Sequence, residues 1–250
     1  MRRIGMSNAS KLLLLFGGNA PAFDQNLPAT ITGLALWLDA DDASTLFQAN
    51  DGTTPAASDG DVVGYWGDKS GAGRHAVQAT TANKPLLQLA ELNGRSVVQF
   101  NATDHLISTF GATLTQPNTM FLVARHSASS SYFTDGIGGF ARHVIQANSG
   151  FYKLYAGTGF GGNAAEALNT WKQFTGVVNG ASSALRINGT QTDTGDAGAH
   201  PSTGFTLASV QTLANTIPQT QAEVLLYNAL LTAPQIAAVE SYLNAKWAVY

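Results

Sequence analysis

Trp66, Asp68, Ser70, Gly71 and His75 stand in one short stretch as W-x-D-x-S-G-x-x-x-H. An acid, a hydroxyl and an imidazole so close together are the parts of acid–base or nucleophilic chemistry. No G-x-S-x-G elbow accompanies them, and His75, His105, His126, His143 and His200 show neither H-x-x-x-H nor H-E-x-x-H spacing. Asp and Ser side chains bond readily to the amides of their own turn. The stretch therefore reads as a turn strap, with His75 hydrogen-bonded into it and Trp66 in the core. Asp39, Asp41 and Asp42 could offer hard oxygens to calcium. An EF-hand loop beginning there would need Gly and Glu where Ser44 and Asn50 stand. The favoured reading is that these aspartates cap a strand end in solvent, which leaves calcium as the one cofactor still open. Gly157, Gly159 and Gly162 match G-x-G-x-x-G in form, but position 179 is Asn and the flanking segments read as strands, so these glycines mark a loop.

The elements that must hold these residues are short and extended. Leu34, Leu36 and Leu38 alternate with Ala35 and Trp37, and the continuous apolar run from Thr119 to Ala124 reads as a strand buried on both faces. Trp171 to Val178 and Ala184 to Ile187 form a hairpin pair, with Asn179-Gly180 and Asn188-Gly189 supplying the positive-φ turn residues that hairpins need. Further strands are expected around Ser96–Phe100, Phe133, Val144-Ile145, Tyr152–Tyr155, Thr206–Val210 and Ala222–Tyr227. One helix closes the chain. Thr232 and Gln235 fit a capping box with Pro234 in the first turn, and Ile236, Val239, Leu243 and Trp247 share one face.

Composition agrees with an all-β chain. Of 250 residues, 44% are hydrophobic and only 12% charged, with 26 glycines and no cysteine. Disulfides and thiolate zinc sites are excluded. Net charge is −3, and no Lys/Arg cluster follows Arg2-Arg3, so a nucleic-acid footprint is not expected. No run of eighteen apolar residues exists, and no membrane partner is expected. Residues 1–30, broken by Gly17-Gly18, Pro21 and Pro28, read as an arm, and residues 31–250 as one domain. In the arm Leu12, Leu13, Leu14, Leu15 and Phe16 make an apolar stripe too short for a signal peptide. Such a stripe is expected to be retained and buried against a neighbouring subunit or an assembly.

Four blocks carry a family resemblance: Gly33–Asp41, Trp66–Gln78, Arg95–Leu106 and Ala222–Trp247. With Trp171 and the Leu185–Gly189 hairpin, they make the chain similar to the LamG-like, concanavalin A-like jelly-roll family of bacterial and phage proteins, over roughly residues 33 to 248. The resemblance implies a jelly-roll β-sandwich with a C-terminal helix. Related jelly rolls include glucanases with a Glu-x-Asp-x-x-Glu strand, yet Glu91, Glu166, Glu223 and Glu240 do not fall in that pattern. The resemblance therefore implies a non-enzymatic, lectin-like component of a phage virion (tail, fibre or head decoration), docked through the arm to other virion proteins and to copies of itself. The alternatives are a secreted or surface-bound bacterial carbohydrate-binding module and a glycan-cleaving enzyme. Ligand contact is expected from loops: the Ser127–Arg142 loop with Tyr132, Phe133, Asp135 and Arg142, and the Tyr155–Asn163 loop, where an aromatic stacks on a sugar and Asp and Arg bond its hydroxyls.

Overall fold

The computed structural model describes residues 24–213 and 217–250; the apolar stripe Leu12–Phe16 lies outside them. In chain order the first strands are β1 (Leu34–Asp39), β2 (Leu46–Phe47), β3 (Tyr65–Trp66), β4 (Ala76–Val77), β5 (Leu86–Leu92), β6 (Arg95–Phe100), β7 (Leu106–Leu114) and β8 (Asn118–His126). They continue as β9 (Tyr132–Asp135), β10 (Val144–Asn148), β11 (Phe151–Tyr155), β12 (Gly159–Phe160), β13 (Lys172–Val178), β14 (Ser183–Ile187), β15 (Thr190–Gly195), β16 (Ser202–Leu207) and β17 (Gln219–Tyr227). A helical turn α1 (Leu27–Thr30) precedes them and helix α2 (Ala233–Trp247) follows.

These strands form two antiparallel sheets, a jelly-roll β-sandwich. The first runs β15-β14-β13-β8-β17-β6-β5, and the second β12-β11-β10-β9-β16-β7-β4-β3-β2. Strand β17 is the spine of the first sheet. Its one edge pairs with β8 along most of its length, while its other edge is shared, β6 taking Gln219–Gln221 and β1 taking Glu223–Tyr227. Between the sheets Leu36, Leu38, Trp66, Phe100, Phe133, Tyr152 and Phe174 are fully or almost fully buried.

A second apolar layer explains why β1, β8 and β17 are buried on both faces. Helix α2 lies on the outside of the first sheet, where Ile236, Val239, Leu243 and Trp247 meet Trp37, Phe121, Val123 and Leu225. The capping box at Thr232 and Gln235 starts it, and Ala248, in the left-handed region at φ 49°, ends it. Residues 27–30, which the sequence assigns to the arm, instead pack on the domain: Pro28 is buried and its carbonyl accepts a bond from the Tyr227 hydroxyl at 3.0 Å. Strands β5, β7 and β15 escape sequence reading because exposed residues interrupt their apolar pattern.

The Trp66–His75 stretch ties one sheet to the other. The Asp68 carboxylate accepts from the Trp37 amide of the first sheet at 2.9 Å, and from the Ser70 amide, the Ser70 hydroxyl and the Arg74 amide of its own turn at 2.8–2.9 Å. The Asp68 amide donates to His75 Nδ1 at 3.0 Å, and the His75 ring stacks on Tyr65 of the second sheet at 4.7 Å. The Asp68 carboxylate, the Ser70 hydroxyl and His75 Nδ1 are thus used in holding the turn.

Candidate functional site

Strands β9, β10 and β11 present an aromatic and cationic face on the outside of the second sheet. Tyr152 and Leu154 of β11 point into the core, so the alternating side chains Phe151, Lys153 and Tyr155 point away from it. Register sets Tyr132, Gln146 and Lys153 in one row across the three strands, and Val144 beside Tyr155 in the next. Above this second row comes the loop 136–143. Gly136 opens it at a point where a Cβ would fall 1.8 Å from the Ala141 carbonyl oxygen, so only glycine fits. At the tip Phe140 is 83% exposed. Its ring meets His200 edge-on at 5.9 Å, and His200 meets Tyr155 in the same way.

Electrostatics fix the loop in place. Asp135 is fully buried and takes both Nε and Nη2 of Arg142 at 2.7 Å, the Gly136 amide at 2.6 Å and the Gln211 amide at 3.0 Å. This bidentate pair raises the Arg142 pKa, against burial, so the guanidinium stays charged. The Arg142 guanidinium then lies over the Tyr155 ring at 5.0 Å. Beneath the face, His143 is fully buried and donates from Nε2 to the His200 carbonyl at 2.9 Å. Burial pushes its pKa down to about 4, so the ring is neutral. Its Nδ1, the His200 Nδ1 and the Gln146 Oε1 are buried without a partner among the described residues. The same face of the sheet continues over the in-register pair Ile107 and Val77, where a groove of about 790 Å³ is lined also by Gln78, Thr80, Asn83 and His105.

The sequence-predicted ligand residues separate into two groups. Tyr132 and Arg142 lie on this face. Phe133, one residue along the strand, points the other way into the core, where it packs on Phe174 at 4.9 Å. Burying a ring of that size is worth about 2–3 kcal/mol, which holds it there. Asp135 is equally unavailable, because its carboxylate is spent on Arg142 and backbone amides. Phe140, Lys153, Gln146 and His200 were not singled out by sequence reasoning. The signal for Phe140 was present as an aromatic directly after Gly138-Gly139.

The three aspartates considered for calcium are met instead by protein cations. Asp39 accepts from Lys246 at 2.5 Å and from Lys69 at 2.8 Å; Asp42 pairs with Lys69 at 2.8 Å, and Asp41 with Arg95 at 2.5 Å. Asp39 is 4% exposed, so it is no solvated cap. Among the described residues no group of three or more His, Cys, Asp or Glu is placed to hold a metal ion. These pairs wall a polar groove of about 410 Å³. Directly across the sheet from Asp39 stands Glu223, the register partner on β17. It is fully buried and accepts from Trp37 Nε1, Tyr242 Oη, Trp247 Nε1 and Lys246 Nζ at 2.7–2.9 Å. Burial raises the Glu223 pKa and the adjacent Asp39 adds to this, while Lys246 pulls it down. Four donors on two oxygens fill the lone pairs of an ionised carboxylate.

No family model matches the chain, and no curated protein matches it. Solved structures do. The chain is similar to the botulinum neurotoxin serotype D binding domain, with 11% identity over 86% of this chain and 52% of that one, at a TM-score of 0.60. It is similar to Trypanosoma rangeli sialidase, with 13% identity over 86% and 33% of the two chains, at a TM-score of 0.54. It is similar also to botulinum neurotoxin type C, whose cell entry depends on interaction with two ganglioside molecules, with 14% identity over 84% and 51%, at 0.57. The chain spans a third to about a half of the length of these proteins. What they share with it is the fold.

Proposed function

We propose that this chain is a lectin-like, non-enzymatic domain that binds glycans through the outer face of β9, β10 and β11. The observation that carries this reading is Phe140, 83% exposed on a glycine-rich loop that Asp135 and Arg142 pin down beside Tyr155. Displaying an aromatic ring in water on a fixed loop has no packing benefit to the fold, whereas the flat C–H face of a sugar covers such a ring well. Tyr132, Gln146 and Lys153 supply hydroxyl, amide and ammonium groups in the adjoining row for the sugar hydroxyls. The fold shared with a ganglioside-dependent toxin supports the reading by analogy. An ordinary retaining or inverting glycosidase sets two free carboxylates about the scissile bond, whereas Asp135 at this face is locked to Arg142. The setting we propose is the surface of a phage particle, as the cysteine-free, low-charge composition and the family resemblance suggest.

Glycan-array screening followed by calorimetry on the best binder tests the function. Phe140→Ala and Tyr155→Ala should each weaken binding at least ten-fold while circular dichroism stays unchanged. Binding that survives both substitutions moves the site elsewhere on the fold. Mass spectrometry of purified particles tests the setting, which fails if this chain is missing from them.

A further inference from the structure

We propose that the sugar taken by this face is anionic, bearing a carboxylate or a sulfate, and that Lys153 is the residue that pairs with it. The inference rests on the glycan-binding reading and names the ligand class of the same site. The molecule as a whole carries a net charge of −3, so a cationic patch on it is a local feature. Arg142 does not supply the excess charge, because Asp135 neutralises it at 2.7 Å through both Nε and Nη2. Lys153 does. Lys69 and Lys246 are each held by two carboxylates and Lys84 by the Gln48 carbonyl, while Lys172 belongs to β13 of the other sheet. The Lys153 ammonium has no hydrogen-bond or ion-pair partner among the described residues, although the side chain is half-buried between Phe151 and Tyr155 on the same face of β11.

Position makes that charge usable. Residues two apart on a strand lie about 7 Å apart, so the Lys153 and Tyr155 side chains leave β11 on the same face roughly one sugar ring apart. Gln146, Lys153's register partner on β10, carries a buried Oε1 with no partner among the described residues, and His200 beside Tyr155 carries a buried Nδ1 in the same condition. A pyranose stacked on the exposed Phe140 ring, beside Tyr155, can direct its anionic substituent at Lys153. A neutral sugar would make the first contacts and forgo the last.

Calorimetry of the full chain with lactose, 3′-sialyllactose and 3′-sulfolactose at low salt tests this. The anionic sugars should bind about five-fold tighter than lactose, equivalent to about 1 kcal/mol, and the margin should shrink as salt screens the pair. Lys153→Gln should abolish the margin between the anionic sugars and lactose, and Lys153→Arg should preserve it. A carboxylate ligand and a sulfate ligand are told apart by which of the two anionic sugars holds the larger margin. Equal binding of all three sugars by the native chain, or a margin that survives in Lys153→Gln, overturns the proposal while leaving glycan binding intact. Loss of all three sugars in Phe140→Ala belongs to the wider reading, and failure of the native chain to bind any of them overturns both.

Discussion

Replacing Lys246 by Met should destabilise the fold by about 3–5 kcal/mol, the cost of removing one partner from a buried ion pair. The magnitude follows from what the substitution leaves behind. Lys246 is 5% exposed, and its ammonium bridges Asp39 at 2.5 Å and Glu223 at 2.9 Å. Those two carboxylates face each other as a register pair on β1 and β17, where like charges repel. Methionine keeps the volume of the side-chain stem, so little of the loss comes from packing. Lys69 still neutralises Asp39, but Glu223, fully buried, is left with neutral donors alone. Adding Glu223→Gln to Lys246→Met should recover about 2 kcal/mol. The pH dependence carries a definite sign. Without Lys246 the already raised Glu223 pKa climbs further, so the folded state keeps a proton that the unfolded chain releases near the ordinary value of 4.5. The stability of Lys246→Met should therefore fall as pH rises above that value, more steeply than in the native chain. Urea unfolding followed by tryptophan fluorescence is a direct assay, because Trp37 and Trp247 both donate to Glu223. A loss under about 1 kcal/mol, or no recovery in the double variant, would refute the claim that Lys246 neutralises this pair.

Two further outcomes follow from contacts elsewhere. Asp68→Ala should cost about 3 kcal/mol in denaturant unfolding, since it leaves the Trp37, Ser70 and Arg74 amides without their charged acceptor, and Asp68→Asn should cost about half as much. His143 titrates near 4 in the fold against an ordinary 6.5, so its contribution is complete above pH 6.5 and is lost as pH falls from there towards 4. That contribution is about 3 kcal/mol. Comparing stability against pH for the native chain and His143→Gln should show a shallower acid-side slope in the variant; parallel curves would mean that His143 is not buried as a neutral ring.

Much of the architecture was legible because it is written in local patterns. The strand read in Thr119–Ala124, the hairpin at Asn188-Gly189 and the capping box at Thr232 each depend on residues within a few positions of one another. The strap at Trp66–His75 was legible for the same reason, as Asx and Ser side chains bond their own turn. The site was only half legible. Its loop could be expected from glycine and serine content, but a strand's alternation turns Phe133 inward, and only the folded chain shows Phe140 as the aromatic left in solvent. The roles of the charges could not be read at all. Asp39 and Lys246 are 207 positions apart, and Trp37 and Glu223 are 186 apart. Whether a carboxylate caps a strand in water, ligates a metal or pairs with a buried lysine depends on which distant segments pack around it. The sequence by itself determined most of the longer strands, the turns and the closing helix, because hydrophobic period and turn chemistry act over short spans. Which charges are consumed inside the fold and which, like Lys153, are left facing solvent was decided by tertiary packing, because Coulomb interaction and desolvation depend on distance in space.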